Sequence, residues 1–543
     1  MYKILNKVEY NYIFDEVYSI DIAKDVIRNL HGKPSKEVLI HFLLSYYGSD
    51  LLNNSSIRHM IINSLDDKQV NLCCQKLRKN PTPHKYDTSL LLSRYTWNRS
   101  SEFPEILNEI MYYEIPEHYL PFNTERVILP KIEKIYSNKN ENLFDYQREI
   151  SNSLIKFING TKRRTMVQMP TGSGKTKTTL CAIIDFIVEK NNRFNKVLWL
   201  SHTSELCEQS LASLKRNWSN KGNGLLYAYR LYGTHHLNQY EYKDGFVFAS
   251  LQKIHSIQKR EDNIYKKISE SCDLIVFDEA HKALAPTYKK IIDDIMQKSN
   301  NCKIIGLTAT PGRTSKEESE LENKKLTRIF DNNLIALEFG KTNPIVALKE
   351  KGVLSNLKRK SIHGLNEFEW NNTEKKYFED YSEIPPSILK GLASDRKRND
   401  NIITAIKSEV SKGKQCLVFS CTSKHAKVLS AQLNLSGITA SAVTSDMTKL
   451  ARYKAVDSFK KSTSSVLINF GILTTGFDAP NIDVIIITRP TNSIILYSQM
   501  LGRGLRGPKV GGNQDCILYD VIDNFLGYGN QDDIYDYFEG YWN

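Results

Sequence analysis

The spacing of apolar residues divides the chain into two unlike parts. Over residues 1–135, apolar side chains recur at helical spacing, as at Ile22, Val26 and Leu30 and along KEVLIHFLLSYY. Polar breaks such as GSDLLNNSS and NPTPHKYD separate these segments. We therefore predict a mostly helical accessory domain over residues 1–135, with an apolar core of its own.

From about residue 141, short apolar runs alternate with amphipathic stretches. A first series consists of KVLWLS, FVFAS, CDLIVFDE and KIIGLTAT, and a second of QCLVFS, SSVLINF, DVIIITRP and DCILYDVID. Continuous apolar runs between helices are typical of parallel strands that are covered on both faces. The predicted fold class is α/β: two tandem domains with parallel sheets, over residues 136–340 and 341–543, preceded by the mostly helical N-terminal domain.

Charge and cysteine content narrow the class of protein. The 543 residues include 74 Lys and Arg against 61 Asp and Glu, a formal net charge of +13, which suits a polyanionic partner. The 9 cysteines form no CxxC pair and no Cys/His quartet, so neither a zinc site nor a disulfide framework is expected. The N-terminus contains acidic residues and no uninterrupted apolar core, and no apolar run approaches the ~20 residues of a membrane span. We expect a soluble cytoplasmic protein without membrane contact.

The stretch MPTGSGKT, which ends at Thr176, has the composition of a phosphate-binding loop. Gly172 and Gly174 let the backbone bend until several N–H groups point at one spot, and Lys175 adds a positive charge. Thr176 supplies a hydroxyl at the start of a helix, so the loop suits a polyphosphate with a magnesium ion. Methionine replaces the first glycine of the strict pattern GxxxxGK(S/T), so a chance match is the alternative for the loop taken alone.

A second element supports the loop. The run LIVFDEAH ends an apolar strand with Asp278 and Glu279, about a hundred residues after Lys175. One carboxylate at a strand end can hold magnesium next to the phosphates, and the other can orient and deprotonate the attacking water. A solvated turn would be the better interpretation for an isolated pair of acids, but not for a pair that follows a phosphate loop.

The segment QMLGRGLRG places Arg503 and Arg506 three residues apart, on one face of a helix. Phosphoryl transfer gains most from positive charge delivered to the γ-phosphate in the transition state. These arginines lie in the second predicted α/β domain, so they reach a nucleotide only when the two domains close. The alternative interpretation is an exposed basic helix face. The neighbouring Gln499 and the glycines favour the catalytic interpretation, in which the arginines contact the γ-phosphate.

Taken together, these motifs resemble those of superfamily 2 helicases and occur in the family's order over about residues 141–525. MPTGSGKT, DEAH, TAT, TTGFDAP and QMLGRGLR are similar to motifs I, II, III, V and VI. The run ILTTGFDAPNIDVIIITRPTNSIILYSQMLGRGLR looks closest to RadD-like proteins and to the motor subunits of type I and III restriction enzymes. The resemblance implies two RecA-like domains that use ATP and Mg2+ to move along or unwind nucleic acid.

The resemblance also implies a role for each matching residue around the nucleotide. Lys175 binds the β- and γ-phosphates, and Thr176 with Asp278 holds the magnesium ion. The residues of the chemical step are Glu279 as general base, assisted by Gln499, and Arg503 and Arg506, which stabilise the transition state. Gln147, in the stretch LFDYQREI, is expected to recognise the adenine base. The remaining nucleotide contacts are expected from Thr171, Gly172, Ser173, Gly174, Gly476 and Asp478.

Two further groups of residues follow from the same resemblance. Coupling of the nucleotide state to domain movement is expected from His281, Thr308 and Thr310. Contacts to the nucleic-acid backbone are expected from Ser201, Thr203, Ser250, Thr422 and Thr474. Because such contacts use hydrogen-bond donors and not base-reading groups, movement independent of base sequence is expected.

The kind of nucleic acid and the setting of the motor stay open. Gln499 opens motif VI and His281 closes DEAH, where DEAD-box RNA helicases typically have a His–Arg pair and DEAD, which favours DNA over RNA. An RNA helicase is one alternative. Another is a motor or platform subunit of a multi-protein anti-phage defence or restriction complex, in which residues 1–135 bind a protein partner and the effector lies on that partner.

A nuclease within the chain is a weak alternative. Asp50 with Asp66, Asp67 and Lys68 faintly fits a D…DxK pattern, but INSLDDKQVNLCC is more typical of a helix N-terminus. Residues 1–135 are therefore expected to dock a substrate or partner without supplying catalysis. A chain that starts near residue 135 is expected to fold and to retain basal ATPase activity, because it keeps every motif from Gln147 onward.

Overall fold

Two sheets and a group of N-terminal helices make up the computed structural model. It describes residues 1–20, 23, 34–94, 108–109, 130–136, 143–189, 196–309, 324–340, 342–364, 370–381, 384–472, 482–491 and 494–523. Within those ranges we call residues 130–340 the first lobe and residues 342–523 the second lobe. Both sheets consist mainly of parallel strands, which confirms the predicted α/β class.

Short helices occupy the described part of residues 1–94. They are α1 (Tyr2–Leu5), α2 (Tyr10–Tyr18), α3 (Lys36–Tyr47), α4 (Ser55–Asn63), α5 (Asp67–Lys76) and α6 (Lys85–Ser93). Side-chain caps fix several of the helix starts. Ser35 Oγ accepts from Val38 N at the start of α3, and Asp66 with Gln69 forms a capping box at the start of α5.

The first lobe is built on an eight-stranded sheet. Its strands are β1 (Ile132–Ile135), β2 (Arg164–Gln168), β3 (Lys196–Ser201), β4 (Leu226–Leu231), β5 (Gly245–Ser250), β6 (Leu274–Asp278), β7 (Lys303–Thr308) and β8 (Leu334–Ala336). Its helices are α7 (Asp145–Asn159), α8 (Lys175–Glu189), α9 (Ser204–Lys221), α10 (Leu251–Lys259), α11 (Asn263–Ser271) and α12 (Pro286–Lys298). The order across the sheet is β1-β4-β5-β3-β6-β7-β2-β8, with β1 antiparallel to β4 and the other pairs parallel.

The second lobe is built on a six-stranded parallel sheet. Its strands are β9 (Asn356–His363), β10 (Cys416–Phe419), β11 (Ala440–Thr444), β12 (Val466–Phe470), β13 (Val484–Ile487) and β14 (Asp515–Ile522), in the order β11-β12-β10-β13-β14-β9. Its helices are α13 (Pro344–Glu350), α14 (Asn372–Tyr381), α15 (Pro386–Ser394), α16 (Arg396–Val410), α17 (Ser423–Leu435), α18 (Lys449–Lys460) and α19 (Ile494–Leu501).

The N-terminal helices share an apolar core with the second lobe. α3 packs against α17, and Phe42 of α3 lies in one buried cluster with Leu392 of α15 and Val428 of α17. The predicted core of residues 1–135 therefore extends into the second lobe.

A hydrogen-bonded contact joins the same two regions. Asp50 accepts hydrogen bonds from Thr448 N (2.9 Å, to Oδ2) and from Thr448 Oγ1 (2.6 Å, to Oδ1), at the start of α18. Asp66, the other half of the weak nuclease pattern, caps α5. Both carboxylates thus have structural partners, and among the described residues no group of three or more His, Cys, Asp or Glu side chains could hold a metal ion.

Strand β1 bears on the division of the chain. Its residues Ile132–Ile135 pair with β4, so they belong to the first sheet although they fall within the range predicted for the accessory domain. We propose that the first motor domain begins at β1 and that the accessory domain ends before it. Among the described residues, none of the helices has the length and apolar character needed to cross a membrane.

Candidate functional site

The phosphate loop connects β2 to α8 and bends at two glycines. Gly172 and Gly174 have φ angles of +87° and +89°, a region that side chains other than glycine rarely adopt. A Cβ at Gly174 would also approach Gln147 Nε2 to 2.5 Å. Ser173 Oγ donates to the carbonyl O of Pro170 over 2.7 Å, which holds the bend between the two glycines.

Two side chains of helix α7 donate hydrogen bonds to the backbone of this loop. Gln147 is buried, its Nε2 donates to the carbonyl O of Ser173 over 3.0 Å, and its Oε1 accepts from Phe144 N over 3.2 Å. The hydroxyl of Tyr146 donates to the same carbonyl over 2.9 Å. Gln147 therefore lies against the phosphate loop, and its reading of adenine stays a prediction. The brace from Tyr146 was not predicted, although the aromatic residue directly precedes Gln147.

Lys175 is the first residue of α8 and faces the carboxylates at the end of β6. Its Nζ donates to the carbonyl O of Met169 over 3.1 Å. Burial lowers the pKa of Lys175, while the charges of Glu279 and Asp278 oppose that shift. The helix N-terminus and the ammonium group thus place positive charge at one point of the site.

The two acids of DEAH occupy the end of β6. Asp278 is 7% exposed, and its Oδ1 accepts from Glu279 N over 3.1 Å. Burial, and then the adjacent charge of Glu279, raise the pKa of Asp278 to about 7. Glu279 has a φ of +57°, a left-handed conformation that costs free energy in a residue with a side chain. The sequence motif did not reveal this conformation.

The second lobe brings Arg503 to these groups. Burial lowers the pKa of Arg503 to about 10, and the charge of Glu279 opposes the shift. The charge of Arg503 in turn depresses the pKa of Lys175. Backbone of the same turn lies over the phosphate loop, because a Cβ at Gly172 would be 3.5 Å from the carbonyl O of Leu505. The structure therefore gathers the loop, both acids and Arg503 at one place between the lobes.

The other motif VI residues lie close to this turn. Gln499 is buried on α19, with 8% exposure. Burial lowers the pKa of Arg506, whose carbonyl O accepts from Ser355 Oγ over 2.6 Å. Ser355 follows Leu354, whose side chain would lie 3.4 Å from a Cβ at Gly172. No sequence motif indicated this role of residues 354–355 in the contact between the lobes.

The coupling residues are only partly described. Thr308 is fully buried at the end of β7, and its carbonyl O accepts from Met169 N over 3.1 Å, which joins motif III to the phosphate loop. His281 lies on a 3-10 helix, Ala280–Leu284, but its side chain is outside the described part of the structure. Four predicted site residues fall outside the described residues altogether: Thr310, Thr474, Gly476 and Asp478.

The predicted nucleic-acid hydroxyls lie where strands β3, β5 and β10 end. Three of them cap the helix that follows: Thr203 accepts from Leu206 N, Ser250 from Lys253 N and Thr422 from His425 N. Ser201 is fully buried at the end of β3. Helix capping is thus a structural use of the same side chains, and their contacts with a nucleic-acid backbone stay predictions.

Two family models match the chain, one within each lobe. The family model described as "Type III restriction enzyme, res subunit" matches residues 140–313, and that of the "Helicase conserved C-terminal domain" matches residues 397–507. The chain is 29% identical over 372 residues to the putative ATP-dependent helicase IRC3 of Saccharomyces cerevisiae, covering 67% of this chain and 49% of that protein. It is 27% identical over 381 residues to the putative mitochondrial ATP-dependent helicase irc3 of Schizosaccharomyces pombe, covering 70% and 57%.

The ATP-dependent type ISP restriction-modification enzyme LlaBIII bound to DNA has 18% identity and a TM-score of 0.49, covering 74% of this chain and 30% of that one. The chain spans about half the length of the curated relatives it matches, 49% and 57% in the two cases above.

Proposed function

We propose that the chain is a superfamily 2 helicase related to restriction-enzyme motor subunits, and that it hydrolyses ATP between its two lobes to move along or unwind nucleic acid. The observation that carries the proposal is the meeting of Lys175, Asp278, Glu279 and Arg503 at the contact between the lobes. Such an arrangement is complete only when the lobes are together, so nucleotide binding favours closure and release of products favours opening.

The residues present fit a magnesium ion with the nucleotide. Asp278 offers a buried carboxylate oxygen, the ligand type that Mg2+ prefers, beside the helix that carries Thr176. Burial, and then the neighbouring charge of Glu279, raise the pKa of Asp278, and a bound cation would favour its charged form. Bound by these two residues, the ion would neutralise charge on the phosphates.

The chain's own residues account for the chemical step. Lys175 and the loop N–H groups bind the phosphates, and Glu279 takes the proton of the attacking water. Arg503 and Arg506 place positive charge where it develops in the transition state, and Gln499 assists in orienting the water. Since both arginines come from the second lobe, hydrolysis depends on the closed arrangement.

The substrate is proposed to be DNA in preference to RNA, in keeping with Gln499 and His281 in their motifs. Net charge of +13 and hydroxyls at the ends of parallel strands suit a phosphodiester backbone. The alternatives are an RNA helicase, and a motor or platform subunit of a defence or restriction complex. Exposed apolar side chains within residues 1–135 favour a protein partner there: Leu72 (38% exposed), Tyr86 (51%) and Leu91 (41%).

A strand-displacement assay with matched DNA and RNA duplexes that carry single-stranded tails tests the proposal. We expect the wild type to separate the duplex strands, or to displace a bound block from the strand, in an ATP-dependent manner. Glu279→Gln should do neither. Binding should weaken steeply with salt and be nearly indifferent to base sequence. A nucleic-acid affinity that does not change with salt concentration would count against a motor that moves along the strand. Equal ATP-dependent movement in the wild type and in Glu279→Gln would count against it as well.

A further inference from the structure

A buried ion pair lies in the second lobe, apart from the nucleotide site. The side chains of Arg398 and Asp523 are 0% and 1% exposed. Arg398 donates from Nε to Asp523 Oδ1 over 2.8 Å and from Nη2 to Oδ2 over 2.7 Å, so the pair is bidentate. A Cβ at Gly364 would approach Asp523 Oδ1 to 2.2 Å, so the neighbouring chain leaves room only for glycine beside the carboxylate.

The pair joins three neighbouring strands where they end. Asp523 directly follows β14, and Arg398 lies in the first turn of α16. Arg398 Nη2 also donates to the carbonyl O of Thr488, which follows β13, and its Nη1 lies 3.8 Å from Sγ of Cys421, after β10. Because β10, β13 and β14 are adjacent in the sheet, one guanidinium sets the spacing of three consecutive strand ends.

The loop after β10 is held by the same contacts. Cys421 Sγ donates to the carbonyl O of Thr488 over 3.0 Å, and Cys421 N donates to Nδ1 of His425 over 3.3 Å. His425 is fully buried, and its Nε2 lies 2.9 Å from Oδ1 of Asn399 on α16. The residue after Cys421 is Thr422, whose position is therefore fixed on both sides.

Stability alone is a poor reason for this arrangement. Burying two charges costs their hydration, and well-packed apolar residues often serve as well or better. Glu409, near the other end of α16, shows the contrast, because it is 0% exposed but pairs with Lys360 and Lys412, which are 45% and 51% exposed. A fully enclosed bidentate pair instead fixes distance and orientation together.

We propose that Arg398 and Asp523 are positioning residues that fix the loop of residues 420–422 for contact with the nucleic-acid backbone. The proposal rests on the function proposed above. Ligands of parallel α/β sheets bind at the ends of the strands, and this loop occupies that edge of the second lobe. Loosening the loop weakens nucleic-acid binding, while the chemical step, which uses residues at β2, β6 and α19, keeps its rate.

Amide hydrogen exchange on the full chain measures the fixing of the loop directly. Cys421→Ala removes the thiol that contacts Thr488. Cys416→Ala is the matched control, because it makes the same substitution at an equally buried cysteine at the opposite end of β10. Faster exchange over residues 420–426 is expected in the first variant and not in the second. Unchanged exchange in Cys421→Ala, or the same change in both variants, would overturn the proposal.

The nucleic-acid concentration that half-maximally stimulates ATPase activity measures the consequence. Cys421→Ala should raise it on the order of fivefold, the effect of about one hydrogen bond, with the maximal rate unchanged. The pair Arg398→Met with Asp523→Leu removes both charges without leaving one unpaired, so it should fold, and it should raise the value by about tenfold or more. Glu409→Gln is the control and should leave it unchanged.

The outcomes separate the two proposals. Suppose that nucleic acid stimulates the wild type. If the half-saturating nucleic-acid concentration is then unchanged in the folded double variant, or rises equally in Glu409→Gln, the positioning role alone is overturned. A wild type that no nucleic acid stimulates overturns the proposed function and this role with it.

Discussion

Removal of the N-terminal helices is expected to destabilise the second lobe. Deleting residues 1–129 keeps every strand of both sheets, including β1, but uncovers the face of α15 and α17 that shares the cluster with α3. Ile388, Leu389 and Leu392 on α15 and Val428 on α17 are buried there. Full burial of each is worth about 1.5–3 kcal/mol, so exposing all four costs up to roughly 6–12 kcal/mol. Total stabilities are about 5–15 kcal/mol, so the second lobe would stand near its threshold.

Urea unfolding followed by circular dichroism, together with size-exclusion chromatography, tests this expectation. The truncated chain should unfold at lower urea or associate through the uncovered face. A point variant gives a milder version: Phe42→Ala should cost about 3–5 kcal/mol, whereas Leu72→Ala, on the exposed side of α5, should stay within about 0.5 kcal/mol. A truncated monomer with wild-type unfolding midpoint and basal ATPase would refute the shared core and restore the expectation of an independent accessory domain.

Further predictions concern the site and the contact between the N-terminal helices and α18. Glu279→Gln should bind ATP with near wild-type affinity and lose turnover; a near-normal turnover would remove Glu279 as the base. Because the pKa of Asp278 is raised from 3.8 to about 7, the unfolding free energy of the metal-free protein should fall as pH rises from about 4 to 7. For the same reason, Mg2+ binding measured by calorimetry should weaken below about pH 7. An Mg2+ affinity that does not depend on pH would contradict this. Asp50→Ala removes two hydrogen bonds to Thr448 and should cost about 1–3 kcal/mol in urea unfolding, against less than about 1 kcal/mol for the exposed Asp67→Ala; equal costs would contradict the anchoring role.

The sequence predicted the strands that are continuously apolar and missed those that are not. β3, β5, β6 and β7 coincide with the first series of runs. β4 was missed because its run LYAYRL contains Arg230, which is 2% exposed. Its charge is paired across the fold, with Nε donating to Glu208 Oε1 over 2.8 Å and Nη1 to Glu133 Oε1 over 2.9 Å. A single sequence shows the arginine but not its partners.

Helical periodicity in the N-terminal region indicated apolar faces but not what covers them. The face of α3 packs on α17, nearly 400 residues further along the chain, and periodicity has no information about such a partner. In the same way, the motifs identified Glu279 and Gln147 as candidate residues of a nucleotide site. The left-handed backbone of Glu279 and the bond from Gln147 to Ser173 depend on the assembled site. The roles assigned to these residues stay predictions.

The rate of ATP hydrolysis with and without nucleic acid tests the central claim most directly. The intact chain, with Mg2+ present, should hydrolyse ATP faster in the presence of single-stranded or tailed DNA, and Arg503→Ala should lose on the order of a thousandfold of that rate while still binding ATP. RNA should stimulate less than DNA. A rate that no DNA or RNA changes, or a full rate in Arg503→Ala, would contradict a nucleic-acid motor whose active site is completed by its second lobe.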